Sequence, residues 1–198
     1  MSSEPLLDQL IDALRCLPGV GPKSAQRMAL HLLERDRDGG KHLSTLLDVA
    51  MERIGRCSEC RNLTEKEICS ICANDQRDRQ QLCIVESPSD VIAIEHATGY
   101  RGRYFVLMGH LSPIDGIGPA DLGLDLLAEQ LGDRPPAEMI IATNPTVEGE
   151  ATAYYVQRMA QKHGVQVSRI AHGVPLGGEL EFTDQSTIAH AFSSRQAV

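Results

Sequence analysis

Apolar residues recur three or four positions apart along the start of the chain, which is the spacing of one face of an α-helix. Three amphipathic helices are predicted there, and the first two are joined by the turn LPGVGPK. Their apolar faces consist of Leu6, Leu7, Leu10, Ile11 and Leu14; of Ala25, Met28, Ala29, Leu32 and Leu33; and of Leu43, Leu46, Leu47, Ala50, Met51 and Ile54. The stretch that follows, CSECRNLTEKEICSIC, has no apolar period and predicts a cysteine-rich knuckle.

From Gln80 onwards, short apolar runs alternate with helical patterns. The predicted strands are LCIVE, RYFVLMG, EMIIAT and VQVSRI, and the predicted helices are SDVIAIEHATG, DLGLDLLAEQLG and EGEATAYYVQRMAQKHG. This alternation of strand and helix predicts a mainly parallel sheet. The end of the chain predicts a Gly-rich turn and a short helix capped by Thr183 or Asp184.

The order of these patterns predicts a multidomain α+β protein. We expect a helical domain over residues 1–54, a four-cysteine finger over 55–78, an α/β domain over 79–172 and a C-terminal segment with a helix over 173–198. A chain of 198 residues is long enough for one sizeable core with smaller appendages.

Hydropathy argues against a membrane protein. The longest apolar runs have the length of a strand and fall far short of the roughly 20 residues that span a bilayer. The first 15 residues have no basic leader, and Asp8, Gln9 and Asp12 interrupt their apolar positions, unlike a signal peptide. We therefore expect a cytoplasmic protein, in which cysteines serve as thiols or metal ligands rather than disulfides.

Charge is unevenly distributed along the chain. The net charge is -8, with -1 over residues 1–79 and -7 over residues 80–198. An acidic surface repels phosphates, so any anion-binding surface is expected in the first part. The chain has no Trp and few other aromatic residues, which disfavours a groove that stacks the bases of a single strand.

Two C-x-x-C pairs separated by eight residues carry the strongest chemical signal. They are formed by Cys57, Cys60, Cys69 and Cys72. Four thiolates supply a closed tetrahedral zinc site without an open position for water, which predicts a structural Zn²⁺ ion. The alternative, a pair of redox dithiols, is disfavoured because the stretch has no core of its own. Cys16 and Cys83 lie on apolar stretches and are expected to be buried, inert thiols.

The turn LPGVGPK is typical of a phosphate-binding hairpin. Gly19 and Gly21 permit a tight turn, Pro22 suits the first helical position, and the free N–H groups of the helix start can bind an anion. Lys23 and Arg27 extend the positive charge along one helix face. The stretch resembles a helix-hairpin-helix motif. A P-loop is excluded because Pro22 separates Gly from Lys, but a hairpin that only packs two helices remains an alternative.

The stretch TNPTVEGE follows a predicted strand and raises the question of catalysis. Together with Glu86 at the end of LCIVE, it resembles the Toprim domain of topoisomerases and primases. Catalytic members have Asp-x-Asp where this chain has Asn144 and Thr146. Two neutral side chains cannot offset the charge of Mg²⁺, so we expect no catalytic residue, although Glu86 and Glu148 alone could hold a weakly bound ion.

Two other functions compete with that of a DNA-binding protein. One is a magnesium-dependent nuclease or topoisomerase-like enzyme that uses Glu86, Glu148 and Glu150, and the Asn144 and Thr146 pair counts against it. The other is a zinc-dependent transcription regulator, which lacks an obvious recognition helix.

The motifs occur in an order that resembles the RecR family of bacterial recombination mediators, over essentially the whole chain. TNPT-x-EGE and the tail GVPLGGELEFTD are the most specific parts of the resemblance. It implies a non-enzymatic DNA-binding protein that works with RecO and RecF to displace single-strand-binding protein and load RecA at gaps. It also implies assembly into dimers and ring-shaped tetramers, and no small-molecule substrate.

Two further expectations depend on this resemblance. The tail has been likened to a Walker B segment, but no P-loop accompanies it, so no nucleotide hydrolysis is expected. Its apolar residues either pack on the chain's own sheet or contact a neighbouring subunit; they are Val174, Leu176, Leu180 and Phe182. In the acidic part of the chain, Glu148 is a candidate contact for RecO.

Overall fold

The structure is a computed structural model that describes residues 4–171, 173–175 and 177–193. The chain divides into two compact units between Ile54 and Gly55. Among the described residues, no helix has the length and hydrophobicity needed to cross a membrane. Each unit is described separately below.

The first unit consists of the three predicted helices. They are α1 (Leu6–Leu14), α2 (Pro22–Glu34) and α3 (Arg37–Arg53). Ala25 and Ala29 of α2 are fully buried, and their small side chains allow a close approach of the neighbouring helix backbone. Asp36 caps α3 by accepting a hydrogen bond from the N–H of Gly39 at 2.9 Å.

The apolar face of α3 stays largely exposed within this unit, and that of α1 is exposed at Leu6 and half-buried further along the helix. Neither helix contains a buried residue in the described chain, and Leu6 and Met51 are 81% and 77% exposed. The expectation that Cys16 is buried was wrong: it is exposed, because it lies in the turn after α1 ends and outside the packed alanine face of α2.

The second unit is built on a four-stranded parallel sheet, as predicted. Its strands are β3 (Asp78–Val85), β4 (Gly102–Val106), β5 (Glu138–Ala142) and β6 (Gln166–Arg169), in the order β4-β3-β5-β6. The helices between them are α4 (Pro88–Ala97), α5 (Leu124–Asp133) and α6 (Val147–Lys162). A two-stranded antiparallel hairpin, β1 (Gly55–Arg56) with β2 (Leu63–Thr64), precedes the sheet in the cysteine-rich stretch.

Both faces of the sheet bury apolar side chains, which is why β3 ends in an apolar run over residues 82–85 and β5 is apolar over residues 139–142. One face packs against α5 and α6 through residues that include Ile84, Phe105, Leu127 and Val156. The other face includes Cys83, and burial raises the pKa of its thiol to about 12, as expected for an inert cysteine. The central strands β3 and β5 therefore end in a rigid frame, from which the loops of the candidate site extend.

The tail contains a 3₁₀ turn over Leu180–Phe182 and a helix, α7, over Gln185–Ser193. Asp184 caps α7 by accepting a hydrogen bond from the N–H of Thr187 at 2.9 Å, which resolves the predicted choice between Thr183 and Asp184. Leu180 and Phe182 are exposed, and Leu176 lies outside the described residues. The domain boundaries after residue 54, and the role of the tail, remain predictions.

Candidate functional site

The four cysteines of the two C-x-x-C pairs come together in one buried cluster. Their Sγ atoms all lie within 4.8 Å of one another. The backbone N–H of Cys69 donates to Cys57 Sγ at 3.3 Å, and the N–H of Cys72 donates to Cys69 Sγ at 3.5 Å. Four sulfur ligands with N–H donors directed at them are suited to Zn²⁺ and leave no position for a substrate.

Proximity also controls the ionisation of these thiols. Hydrogen bonds among them hold the pKa of Cys69 well below its ordinary value and raise the pKa of Cys60 and Cys72 well above it. The cluster alone therefore stabilises few negative charges, and four thiolates at this spacing require a cation. A divalent zinc ion meets that requirement.

The cysteine finger, which consists of residues 55–74, packs on the edge strand β4. Cys60 O accepts a hydrogen bond from the N–H of Val106 at 2.8 Å. The Arg103 guanidinium donates to Glu59 at 2.7 Å and to Cys72 O at 3.1 Å. The finger thus covers an edge of the sheet that would otherwise expose unpaired backbone groups.

Arg61 fastens the finger to the loop before α5. Its buried guanidinium donates to the carbonyls of Leu122 and Asp121 and lies 5.9 Å from the centre of the Phe105 ring. Gly123 is required beside it, because its φ is +66° and an added Cβ would collide with Arg61 Nη1. The sequence does not predict this contact of Arg61, because only its place directly after Cys60 distinguishes it from exposed arginines.

The predicted hairpin has the backbone geometry of an anion-binding turn. Gly19 has a φ of +77°, which favours glycine, and Pro22 occupies the first turn of α2. Gly21 precedes α2, and no side chain caps the helix start in the described structure, so the first N–H groups of the helix have no side-chain acceptor. Lys23 and Arg27 are exposed and have no side-chain partner in the described part of the chain.

Glu86, at the end of β3, is engaged by the residue that replaces an acid. Both of its oxygens accept hydrogen bonds from Asn144, one from the backbone N–H at 2.9 Å and one from Nδ2 at 2.6 Å. Glu86 is only 6% exposed, so these two donors stabilise its buried carboxylate, and His110 Nδ1 lies 3.8 Å away. Asn144 thus donates hydrogen bonds to the two Glu86 oxygens that could otherwise bind a cation.

Thr146, the second residue that stands where catalytic Toprim domains have Asp, also stabilises the local structure. Thr146 caps α6 by accepting a hydrogen bond from the N–H of Gly149 at 3.0 Å. Gly149 itself cannot carry a side chain, because an added Cβ would collide with Asn144 O and lie 3.0 Å from Glu86 Oε1. The NPTVEGE turn is therefore shaped around the Glu86–Asn144 pair.

The remaining two glutamates of the turn do not join Glu86. Glu150 forms a bidentate ion pair with Arg169, at 2.6 and 2.7 Å. Glu148 is half-buried at the start of α6, and its carboxylate has no partner among the described residues. Across those residues, the four cysteines are the one group in which three or more potential metal ligands converge. The geometry does not favour a magnesium-dependent enzyme.

Removing the metal tests the cysteine cluster. We expect one zinc ion per chain, released by a mercurial thiol reagent, and loss of the finger structure on release because binding energy and folding energy are shared. Zinc release and circular dichroism measure the two effects together. A protein that is free of metal and still fully folded would contradict the zinc site.

Asn144→Asp tests the hydrogen-bonded edge. The change replaces a donor with a carboxylate that repels Glu86, so we expect a loss of about 1–3 kcal/mol in the free energy of unfolding. Mg²⁺ should restore part of that loss in the variant and have little effect on the wild type, as measured by thermal unfolding. Equal stability of the two proteins without Mg²⁺ would show that hydrogen bonds from the Asn144 side chain do not stabilise the Glu86 carboxylate.

Family models match consecutive parts of the chain. The matches are the RecR helix-hairpin-helix over residues 7–51, the RecR four-cysteine zinc finger domain over 54–74, the Toprim domain over 80–171 and the RecR C-terminal segment over 173–196. The zinc finger match and the cysteine geometry together confirm the predicted structural zinc. The predicted fold class, with its order of hairpin, finger, Toprim sheet and tail, is confirmed as well.

Similar proteins extend over nearly the full length. The chain is 63% identical over 193 residues to the "Recombination protein RecR" of Xanthomonas oryzae pv. oryzae, with 98% of each chain covered. It is 60% identical over 194 residues to that of Saccharophagus degradans, also with 98% of each covered, and 60% identical over 196 residues to that of Xylella fastidiosa, with 99% covered. The identity and coverage show that this chain belongs to the RecR family of recombination proteins.

Proposed function

We propose that this protein is a non-enzymatic DNA-binding mediator of recombinational repair that helps RecO and RecF load RecA at single-strand gaps. Relatives that are 60–63% identical are named recombination proteins, and one family model that matches the chain describes a helix-hairpin-helix. Those names do not state the partners of the protein, its lack of catalysis or its assembly into a ring, and these are part of the proposal.

The hairpin is the observation that carries the proposal. An uncapped helix start next to Lys23 and Arg27 gathers backbone N–H donors, the positive end of the helix dipole and two cationic side chains on one surface. These groups recognise phosphate and do not read bases, which suits a mediator that must act at gaps of any sequence. Gly19 and Gly21 contribute by shaping the turn and by leaving the helix start open.

The engaged Glu86 supports a protein without catalysis. Phosphoryl transfer by a metal ion requires carboxylates that hold the ion near the phosphate. Here Asn144 occupies both oxygens of Glu86, and Arg169 occupies Glu150. The Toprim sheet then serves as a rigid scaffold and a partner surface.

Exposed apolar faces support assembly into a dimer or a ring-shaped tetramer. On α1 and α3 they include Leu6, Leu46, Leu47 and Met51, which are 51–81% exposed. Burying such faces against a second copy follows from the hydrophobic effect. A ring also resolves the charge problem, because several hairpins acting on one DNA multiply weak contacts in a chain of net charge -8.

The start of α6 supports a docking site for a basic partner, which we propose to be RecO. Glu148 has an available carboxylate, whereas the neighbouring Glu150 is held by Arg169. Val147 beside it is 82% exposed and adds apolar surface to the contact. Charge together with an exposed apolar residue is typical of a recognition surface.

The double variant Lys23→Glu, Arg27→Glu tests DNA binding by the hairpin. We expect single-stranded DNA affinity to fall at least tenfold and the dependence of affinity on salt to become shallower, because phosphate contacts are lost. Fluorescence anisotropy over a salt series, with Mg²⁺ present, measures both quantities. Gel analysis of the recovered DNA should show no cleavage.

The matched control is Lys41→Glu, Arg53→Glu, which makes the same charge change on exposed positions of α3. We expect the control to keep most of the wild-type affinity. If the hairpin variant folds and binds as well as the control, the hairpin only packs two helices. Cleaved DNA would contradict the non-enzymatic proposal.

Glu148→Arg tests the partner surface. We expect RecO affinity to fall about tenfold or more, with DNA binding unchanged, since reversing the charge repels a basic partner. Calorimetry with purified RecO measures the loss, and Glu129→Arg, at an exposed position of α5, is the matched control. Equal losses in the two variants would point to overall charge rather than to a contact at Glu148.

A further inference from the structure

A cavity of about 100 Å³ lies between the cysteine finger and the sheet, within the second unit. Three arginines line it: Arg79 on β3, Arg103 on β4 and Arg134 at the end of α5. Glu59 is the one acidic residue among the lining side chains of the described chain. The cavity is therefore a basic concavity in a part of the chain whose net charge is strongly negative.

The three arginines are in different states. Arg103 is largely buried and held by Glu59 and Cys72 O, and its Nε is buried without a hydrogen-bond partner in the described structure. Arg79 is exposed and pairs with the exposed Asp75 at 3.3 Å, a pairing that water and salt weaken. Arg134 is exposed, and its guanidinium has no partner among the described residues.

This arrangement leaves positive charge available to a ligand. The Glu59 carboxylate is already used by Arg103, and the remaining two guanidiniums have at most one weak surface pairing in the described chain. The Arg103–Glu59 ion pair gives the cavity a fixed polar wall, while the exposed Arg79 and Arg134 supply net positive charge at its rim. Arginine forks of this kind match the oxygens of a phosphate group.

The size and lining of the cavity restrict the ligand. A space of about 100 Å³ holds one phosphate group rather than a whole nucleotide. Its floor includes Leu82, Leu131 and the buried Tyr104, which leaves little room for a base to be read by hydrogen bonds. The site therefore fits a repeating phosphate backbone that lies across the rim better than it fits a free nucleotide.

We propose that this cavity, the arginine cavity, binds a backbone phosphate of single-stranded DNA as a contact separate from the hairpin. The proposal rests on the DNA binding proposed above and assigns to the zinc finger a second role, which is to supply one wall of a phosphate site. An acidic peptide is the competing ligand, and DNA binding measurements decide between them.

The test variant is Arg79→Gln, Arg134→Gln, which leaves Arg103 and the finger intact. We expect single-stranded DNA affinity to fall about threefold to tenfold at low salt. The slope of log affinity against log salt should become shallower by about 0.7 for each phosphate contact that is lost. Arg79→Lys, Arg134→Lys keeps both positive charges, so it should keep the wild-type salt slope and lose less affinity than the glutamine variant, although lysine lacks the guanidinium fork.

The matched control is Arg158→Gln, Lys162→Gln, which removes two exposed charges from α6 in the same unit. It should keep the wild-type salt slope. If the arginine-cavity variant is folded and has the slope of this control, the proposal is overturned and an acidic ligand becomes the better explanation of the cavity. If the wild-type protein binds no DNA, both the proposed function and the arginine cavity are overturned. If DNA affinity falls in the Lys23→Glu, Arg27→Glu variant but not in the Arg79→Gln, Arg134→Gln variant, only the arginine cavity is overturned.

Discussion

The hydrogen-bonded pair of Glu86 and Asn144 organises the edge of the sheet where a Toprim enzyme would hold its metal. It joins the ends of β3 and β5, and the carbonyl of Glu86 also accepts from Gly109 N at 2.9 Å, which ties in the loop after β4. Gly149 must lack a side chain to pass this pair, and Thr146 begins α6 directly after it. The Asn144 side chain and the backbone groups around Glu86 therefore connect the loops that follow β3, β4 and β5.

The cysteine finger of the same unit depends on a metal site instead. The zinc finger is too small to have a core, so its position on β4 relies on the cysteine cluster and on two arginines that reach into the sheet. Arg61 contacts carbonyl groups before α5, and Arg103 returns from β4 to the finger. The zinc finger and the Glu86–Asn144 pair therefore both restrain the sheet, the first through a metal site and the second through hydrogen bonds.

The sequence predicted the helices, the strands and the zinc ligands because each leaves a periodic or spaced pattern along the chain. The chemistry of the residue types alone also predicted that Asn144 and Thr146 disfavour a catalytic magnesium site. The sequence could not predict that Asn144 donates twice to Glu86, because the two residues lie 58 positions apart and meet only through the order of the parallel strands. Arg61 and the arginine cavity were missed for the same reason, and Cys16 was misplaced because a helical period does not show where a helix ends.

Hydrogen bonds from Asn144 engage the Glu86 carboxylate at the Toprim edge, and we infer that this carboxylate does not bind a metal ion. Titration of wild-type protein with Mn²⁺, with free ion followed by electron paramagnetic resonance, tests this most directly. We predict that no stoichiometric Mn²⁺ binds, and that Glu86→Gln gives the same titration curve as the wild type. One Mn²⁺ bound per chain, and lost in Glu86→Gln, would contradict it and reopen a catalytic function for the sheet.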